Sequence, residues 1–135
     1  KSISALIDRN RFQDIASCAV YLENEPTCWE GIVNRHVVIQ DNFLTGCGYD
    51  AHSRALGRAN IHVNTWHPGR GLDETDWIGN EGILIRRNTI ENWSGIAIGV
   101  DNAEEVTIRE NTFHSPGPLG AEPVRVSERT TRVVR

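Results

Sequence analysis

No uninterrupted apolar run long enough to cross a bilayer occurs in the 135 residues, and no signal peptide is visible. An excess of positive charge is missing too. The 14 basic and 18 acidic side chains give a formal charge of −4, so neither nucleic acid nor a membrane surface is expected as a partner. Three cysteines, Cys18, Cys28 and Cys47, make neither an even disulfide set nor a metal-ligand spacing, which leaves the redox compartment open. What is present is ordinary for a globular chain: 39% apolar residues, and a length that suits one domain, residues 1–135, with a sizeable core.

A six-residue phrase, Ile-x-x-Asn-x-apolar, recurs four times. It reads Ile7-Asp8-Arg9-Asn10-Arg11-Phe12, Ile39-Gln40-Asp41-Asn42-Phe43-Leu44, Ile85-Arg86-Arg87-Asn88-Thr89-Ile90 and Ile108-Arg109-Glu110-Asn111-Thr112-Phe113. The asparagines are 32, 46 and 23 residues apart. The shortest gap suits one coil of a solenoid, and the longer ones read as coils with loop insertions, roughly 23–34 and 65–80. Two residues before each isoleucine stand Ala5, Val37, Ile83 and Val106, the alternation of a strand with one buried face. A second strand follows in each coil, with inward pairs Val20/Leu22, Ile61/Val63, Ile98/Val100 and Val124/Val126. Every inward site is aliphatic while the outward sites differ freely.

Stacked parallel strands with these properties predict an all-β, single-stranded parallel β-helix of about five coils, about 24 Å long at the usual strand spacing. The right-handed form follows from the handedness of parallel crossovers. The chain opens on Lys1, and Arg132-Val133-Val134-Arg135 resembles the start of a further coil. These ends predict a piece of a longer helix, or association through uncapped coils.

The repeated asparagines are expected to be scaffold: at a turn they tolerate unusual backbone angles, and their amides can bond from coil to coil. Cys47 aligns with Ile15, Trp93 and Pro116, and Cys18 with Ala59 and Ile96, so both read as small buried hydrophobes rather than catalytic thiols. Asn92-Trp93-Ser94 has a sequon pattern, but its tryptophan occupies a core position.

Outward residues of the second strand form two columns. Tyr21, His62, Gly99 and Arg125 offer a ring, an imidazole, an open space and a guanidinium to a sugar; beside them run Glu23, Asn64, Asp101 and Ser127. Two coils separate Glu23 from Asp101, which is about 9.6 Å at the strand spacing, near the 6.5–9.5 Å between the carboxyl groups of inverting glycosidases. Long insertions on a rigid solenoid are the other place to seek function. The first contains Glu23, Glu25, Trp29 and Glu30, acids around a ring able to stack on a pyranose; the second contains Trp66 and His67 with several acids. Asp73, Glu74 and Asp76 lack the spacing of a metal loop, so no metal and no cofactor are expected.

At these loops the sequence resembles a known family. Ala19-Val20-Tyr21-Leu22-Glu23-Asn24-Glu25, then Trp29-Glu30-Gly31, then Val37-Val38-Ile39-Gln40-Asp41-Asn42, is similar to a segment of glycoside hydrolase family 110. Those enzymes are exo-acting α-1,3-galactosidases on a right-handed β-helix, working with inversion through acidic residues. The resemblance implies Glu25 and Glu30 as substrate-site acids. It covers residues 5–113, much of it the coil phrase common to pectate-lyase-like helices, and the family's adjacent aspartate pair is missing here.

Three functions follow. The first is a carbohydrate-active β-helix, part of a glycoside hydrolase cleaving α-galactosides. Its catalytic acids are drawn from Glu25, Glu30, Glu23 and Asp101, with Tyr21, Trp29, His62, Trp66 and Arg125 holding the sugar. The second is a glycan-binding or assembly module without chemistry. The third is a uronate lyase or epimerase, which requires calcium or a basic groove. A glycan hydrolase would work outside the cell or in a periplasm.

Overall fold

The computed structural model describes residues 3–24, 33–65 and 79–135. These residues wind into a right-handed parallel β-helix of three sheets. The first sheet holds β1 (Ile3–Asp8), β4 (Asn34–Gln40), β7 (Asn80–Arg86), β10 (Glu104–Arg109) and β13 (Thr131–Val134), stacked in that order. The second contains the short strands β2 (Arg11–Gln13), β5 (Phe43–Thr45), β8 (Thr89–Glu91) and β11 (Thr112–His114). The third is formed by β3 (Val20–Asn24), β6 (Ala59–Thr65), β9 (Ile96–Asp101) and β12 (Val124–Val126).

Two of the three sheets were expected. The second escapes a periodicity argument because strands of three residues are too short to show alternation. Its one inward residue per coil, Phe12, Leu44, Ile90 and Phe113, is the apolar residue that ends the repeated phrase.

The core is a set of aliphatic columns. Ile39, Ile85, Ile61, Val63, Ile98 and Val100 are completely buried, and Val37, Ile83 and Val106 stack beside them. Burying one such side chain contributes about 1.5–3 kcal/mol, which is why these positions hold only aliphatic residues through successive coils.

The asparagine column lies at the corner between the first and second sheets. Asn10 donates its amide to Asn42 Oδ1 (3.0 Å), Asn42 to Asn88 (2.9 Å) and Asn88 to Asn111 (3.0 Å). The backbone N–H groups of Asn10, Asn42 and Asn88 donate to the same oxygens at 2.9, 3.1 and 3.0 Å. The amides of Asn42, Asn88 and Asn111 also reach back to the carbonyls of Ile7, Ile39 and Ile85 at 2.9, 3.0 and 3.0 Å. The expected amide ladder is therefore present.

One expectation is corrected. The unusual backbone angle belongs to the residue before each asparagine: Arg9, Asp41, Arg87 and Glu110 have φ of 52°, 53°, 51° and 56°. A left-handed residue other than glycine costs about 1–2 kcal/mol, and the ladder offsets it by satisfying the polar groups of so tight a corner.

Cys47 is buried between coils as expected, whereas Cys18 is only half-buried, and burial raises the thiol pKa of both. Cys28 lies outside the described residues. In the second coil the chain makes an excursion between β5 and β6, the short helix α1 (Ala51–Ala55). Asp50 caps it by accepting from the Ser53 N–H at 2.7 Å, and buried Ser53 bonds the Ser17 hydroxyl at 2.7 Å. That pins the helix to the first coil and carries Arg58 to the outer face of the third sheet.

Candidate functional site on the third sheet

Both outward columns have the expected register. Tyr21 pairs with His62 and His62 with Gly99, while Arg125 follows as the partner of Gly99; Glu23 pairs with Asn64 and Asn64 with Asp101. The Ser127 N–H bonds the Val100 carbonyl at 2.9 Å, which brings its hydroxyl to Asp101.

His62 is the least exposed polar residue of the site, with 3% of its surface accessible. Its Nδ1 accepts the Ala59 N–H at 3.2 Å, so the neutral ring carries its hydrogen on Nε2. That hydrogen is directed at Asp101 Oδ2, 3.3 Å away. Its ring packs against Tyr21 with centroids 5.4 Å apart. The outer surface therefore presents Tyr21 and Asp101, while the imidazole beneath them is bonded to Asp101.

Gly99 is not the open space expected of it. A Cβ there would stand 2.8 Å from the Ala59 methyl and 3.9 Å from the His62 ring. The missing side chain thus leaves room for the Ala59 methyl and the His62 ring of the adjacent strand.

Asp101 has 38% of its side chain exposed. The His62 hydrogen bond, opposed by partial burial, holds its carboxyl below the ordinary range, with Ser127 as a further donor. At neutral pH it is a carboxylate with part of its surface open to solvent, able to accept hydrogen bonds or take a proton from water.

Glu23 is exposed and accepts the Tyr21 hydroxyl hydrogen, and Asn64 donates to the same phenol oxygen. Burial, followed by the bond to Glu23, pushes the Tyr21 pKa up to about 12. Arg58 lies over the tyrosine ring, its guanidinium carbon 5.3 Å from the centroid. Arg125 is exposed, and its Nε and Nη2 are held by Glu122 at 2.9 and 2.7 Å. It lends Asp101 only a distant positive field.

Tyr21, Glu23, His62 and Asp101 thus form one connected track, with Arg125 at its edge. Glu25, Trp29, Glu30 and Trp66 lie outside the described residues, as do Asp73, Glu74 and Asp76. Among the described residues no group of three or more His, Cys, Asp or Glu side chains is placed to hold a metal ion. Arg58 was missed from sequence because it belongs to the excursion after α1, outside any repeat. The Ala59 N–H was missed because a backbone donor leaves no mark in a side-chain pattern.

Among curated proteins none matches the chain. A family model does: the one described as right handed beta helix region aligns with residues 1–115. The winding, the three parallel sheets and this match together show that the chain belongs to the right-handed β-helix family.

Proposed function

We propose that the protein is carbohydrate-active and that a sugar binds across the outer face of the third sheet, between Glu23 and Asp101. The observation that carries this reading is the shared column of the two carboxylates, with the half-buried phenol of Tyr21 alongside. A pyranose presents hydroxyls around its rim and C–H groups on its faces. Carboxylate acceptors, the Asn64 amide and an aromatic edge on a rigid sheet match both. Asp101 accepts from His62, which holds its carboxyl below the ordinary range, and Glu23 accepts from Tyr21; acceptors on a rigid face serve recognition of hydroxyl groups. Glycan binding is thus the reading with the most direct support.

Inverting hydrolysis of a galactoside is the second reading. Its support is the two-coil separation of the residues that carry the carboxylates, about 9.6 Å by strand spacing, just beyond the roughly 6.5–9.5 Å of inverting enzymes. In it Asp101, ionised and steadied by His62, takes the proton from water. The acid is Glu23, or Glu25 or Glu30 by the resemblance to family 110, and it gives a proton to the leaving oxygen.

The test combines a glycan-binding panel with chromogenic α- and β-galactosides, run on the wild type and on Asp101→Asn, Glu23→Gln, Glu25→Gln and Glu30→Gln. Binding that Asp101→Asn weakens, without turnover, supports the module; turnover lost in Asp101→Asn and in one glutamate variant supports the hydrolase. Release of unsaturated uronate dependent on calcium would replace both by a lyase. No binding and no turnover on any glycan would end the carbohydrate reading.

A further inference from the structure

The excursion between β5 and β6 brings to the third sheet a charge that the repeat does not supply. Residues 50–58 carry two arginines, Arg54 and Arg58, and a single acid, Asp50, which is engaged by the Ser53 N–H at the start of α1. Among the described residues neither arginine has a carboxylate within ion-pair distance, whereas Arg125 is held by Glu122 and Arg132 by Glu104 and Glu105. Arg58 lies over the Tyr21 ring, at the edge of the proposed sugar site. The Nε of Arg54 is buried and has no hydrogen-bond partner. A buried donor without an acceptor is costly, and one in a native fold calls for an acceptor from outside the chain.

Two glycines bring these groups to the same end of the sheet. A Cβ on Gly95 would stand 3.2 Å from Arg54 Cγ and 3.9 Å from the Arg58 carbonyl oxygen. One on Gly57 would stand 3.5 Å from Arg125 Nη1, the nitrogen that Glu122 does not hold. Gly95 directly precedes β9 and Arg58 directly precedes β6, while Glu23 and Asp101 stand toward the ends of β3 and β9. The face is therefore basic where its strands begin and acidic where they end. A neutral sugar uses only the acidic end and the tyrosine. What the basic end fits is an oxyanion. A carboxylate has two oxygens and is satisfied by one guanidinium fork. A sulfate or phosphate ester has three terminal oxygens, which suits donors arriving from more than one arginine.

We propose that the glycan taken by this face carries a sulfate or phosphate ester, held by Arg58 and Arg54 while its hydroxyl groups meet Glu23, Asn64 and Asp101. This rests on the carbohydrate reading of the same face and adds the chemical class of the sugar. The direction of the ligand follows from the charges: the ester lies toward α1, because at the other end the Asp101 carboxylate would repel it. Arg125, with two of its nitrogens already on Glu122, adds a single N–H donor group at most.

The test is calorimetric titration of the full chain with galactobiose and with its 6-sulfate, 6-phosphate and 6-carboxylate (uronate) counterparts. One of the two esters is expected to bind at least about tenfold more tightly than neutral galactobiose, the gain from charge-assisted hydrogen bonds, and which one does so identifies the ester. The ratio is expected to shrink as salt rises from about 20 to about 500 mM, a measurement that needs no variant. Arg58→Gln is expected to bring the ratio close to one, Arg58→Lys to keep part of it, and Arg54→Gln to reduce it less. Circular dichroism checks that each variant is folded. Neutral galactobiose bound as tightly as either ester, with no effect of Arg58→Gln, overturns the inference and leaves the carbohydrate reading standing. The uronate bound as tightly as the esters overturns the choice of a three-oxygen anion. Inorganic sulfate or phosphate bound as tightly as the esters, with no binding of galactobiose, overturns the inference and the carbohydrate reading together.

Discussion

Along the corner between the first and second sheets, four coils in succession carry asparagine at the same place. Along the outer face of the third sheet, four coils carry tyrosine, histidine, glycine and arginine at equivalent places. Both rows take part in hydrogen bonds from coil to coil. In the first row each link has the same geometry, and each amide satisfies a backbone group of the adjacent coil. In the second row the links join unlike groups: an amide to a phenol, an imidazole to a carboxylate, a hydroxyl to the same carboxylate. Repetition at a column marks a requirement of the helix itself, since every coil faces the same backbone groups. Departure from repetition frees a column for something other than the helix. In this protein it also leaves Asp101 with one face open to solvent.

Breaking the two rows should therefore have different consequences, and the largest belongs to the ladder. Asn88→Ala leaves the Asn42 N–H, the Asn42 amide and the Ile39 carbonyl without their partner, all of them buried or nearly so. A loss of about 3 kcal/mol or more in unfolding free energy is expected by urea denaturation, because each such orphan costs about 1–3 kcal/mol. Asn10→Ala, at the exposed first rung, removes only donors and should cost about 1 kcal/mol. Equal losses in the two variants would contradict the account of the corner.

Next in size is Asp101→Asn, which keeps the shape of the site and removes its charge. On the proposed glycan-binding function, affinity by titration calorimetry is expected to fall about tenfold, the usual worth of a hydrogen bond to a charged acceptor. Smaller than this is its effect on stability, which depends on pH. The Asp101 carboxyl is held below its ordinary value by His62, so its contribution is present above the unfolded-state value, about 3.9, and is lost as the pH falls through the lower folded-state value. The wild type should accordingly be slightly more stable than Asp101→Asn at pH 7, and the gap should close below about pH 4. With 38% of the side chain exposed, solvent screening keeps that gap small. A gap that widened on acidification would contradict the sign of this argument.

The smallest effect is that of Tyr21→Phe. It should remove the phenolate absorbance change that titrates at about 12. Its expected cost in stability is under about 1 kcal/mol, since the lost bond is to an exposed glutamate.

The sequence was most legible where every coil repeats the same physical demand. Inward aliphatic columns, the asparagine corner and the register of the third sheet could be aligned by eye, because a coil that breaks them loses buried area or leaves backbone groups unpaired. The second sheet was nearly invisible, its strands being too short for periodicity. A second buried polar corner also went unnoticed. Asn80, completely buried, accepts from Asn24 and Asn34 at 3.2 and 2.9 Å and donates to the Asn64 carbonyl at 3.0 Å. Asn34 and Asn80 are in register, but Asn24 comes from the end of another strand, β3, and Ala103 stands at the same place in the next coil, so no column of asparagines repeats there.

For the candidate site, sequence alone determined which side chains share a column, because parallel register follows from the repeat. It assigned Glu23 and Asp101 to one row, two coils apart, without any coordinates. What only the tertiary structure decided is what those side chains do to one another. Burial of His62 beneath the surface, its fixed hydrogen on Nε2, the ionised state of Asp101 and the arrival of Arg58 over Tyr21 all depend on the α1 excursion and on a backbone N–H at Ala59. Periodicity describes how a strand faces its core, and it carries no information about a segment that leaves the repeat and folds back over it.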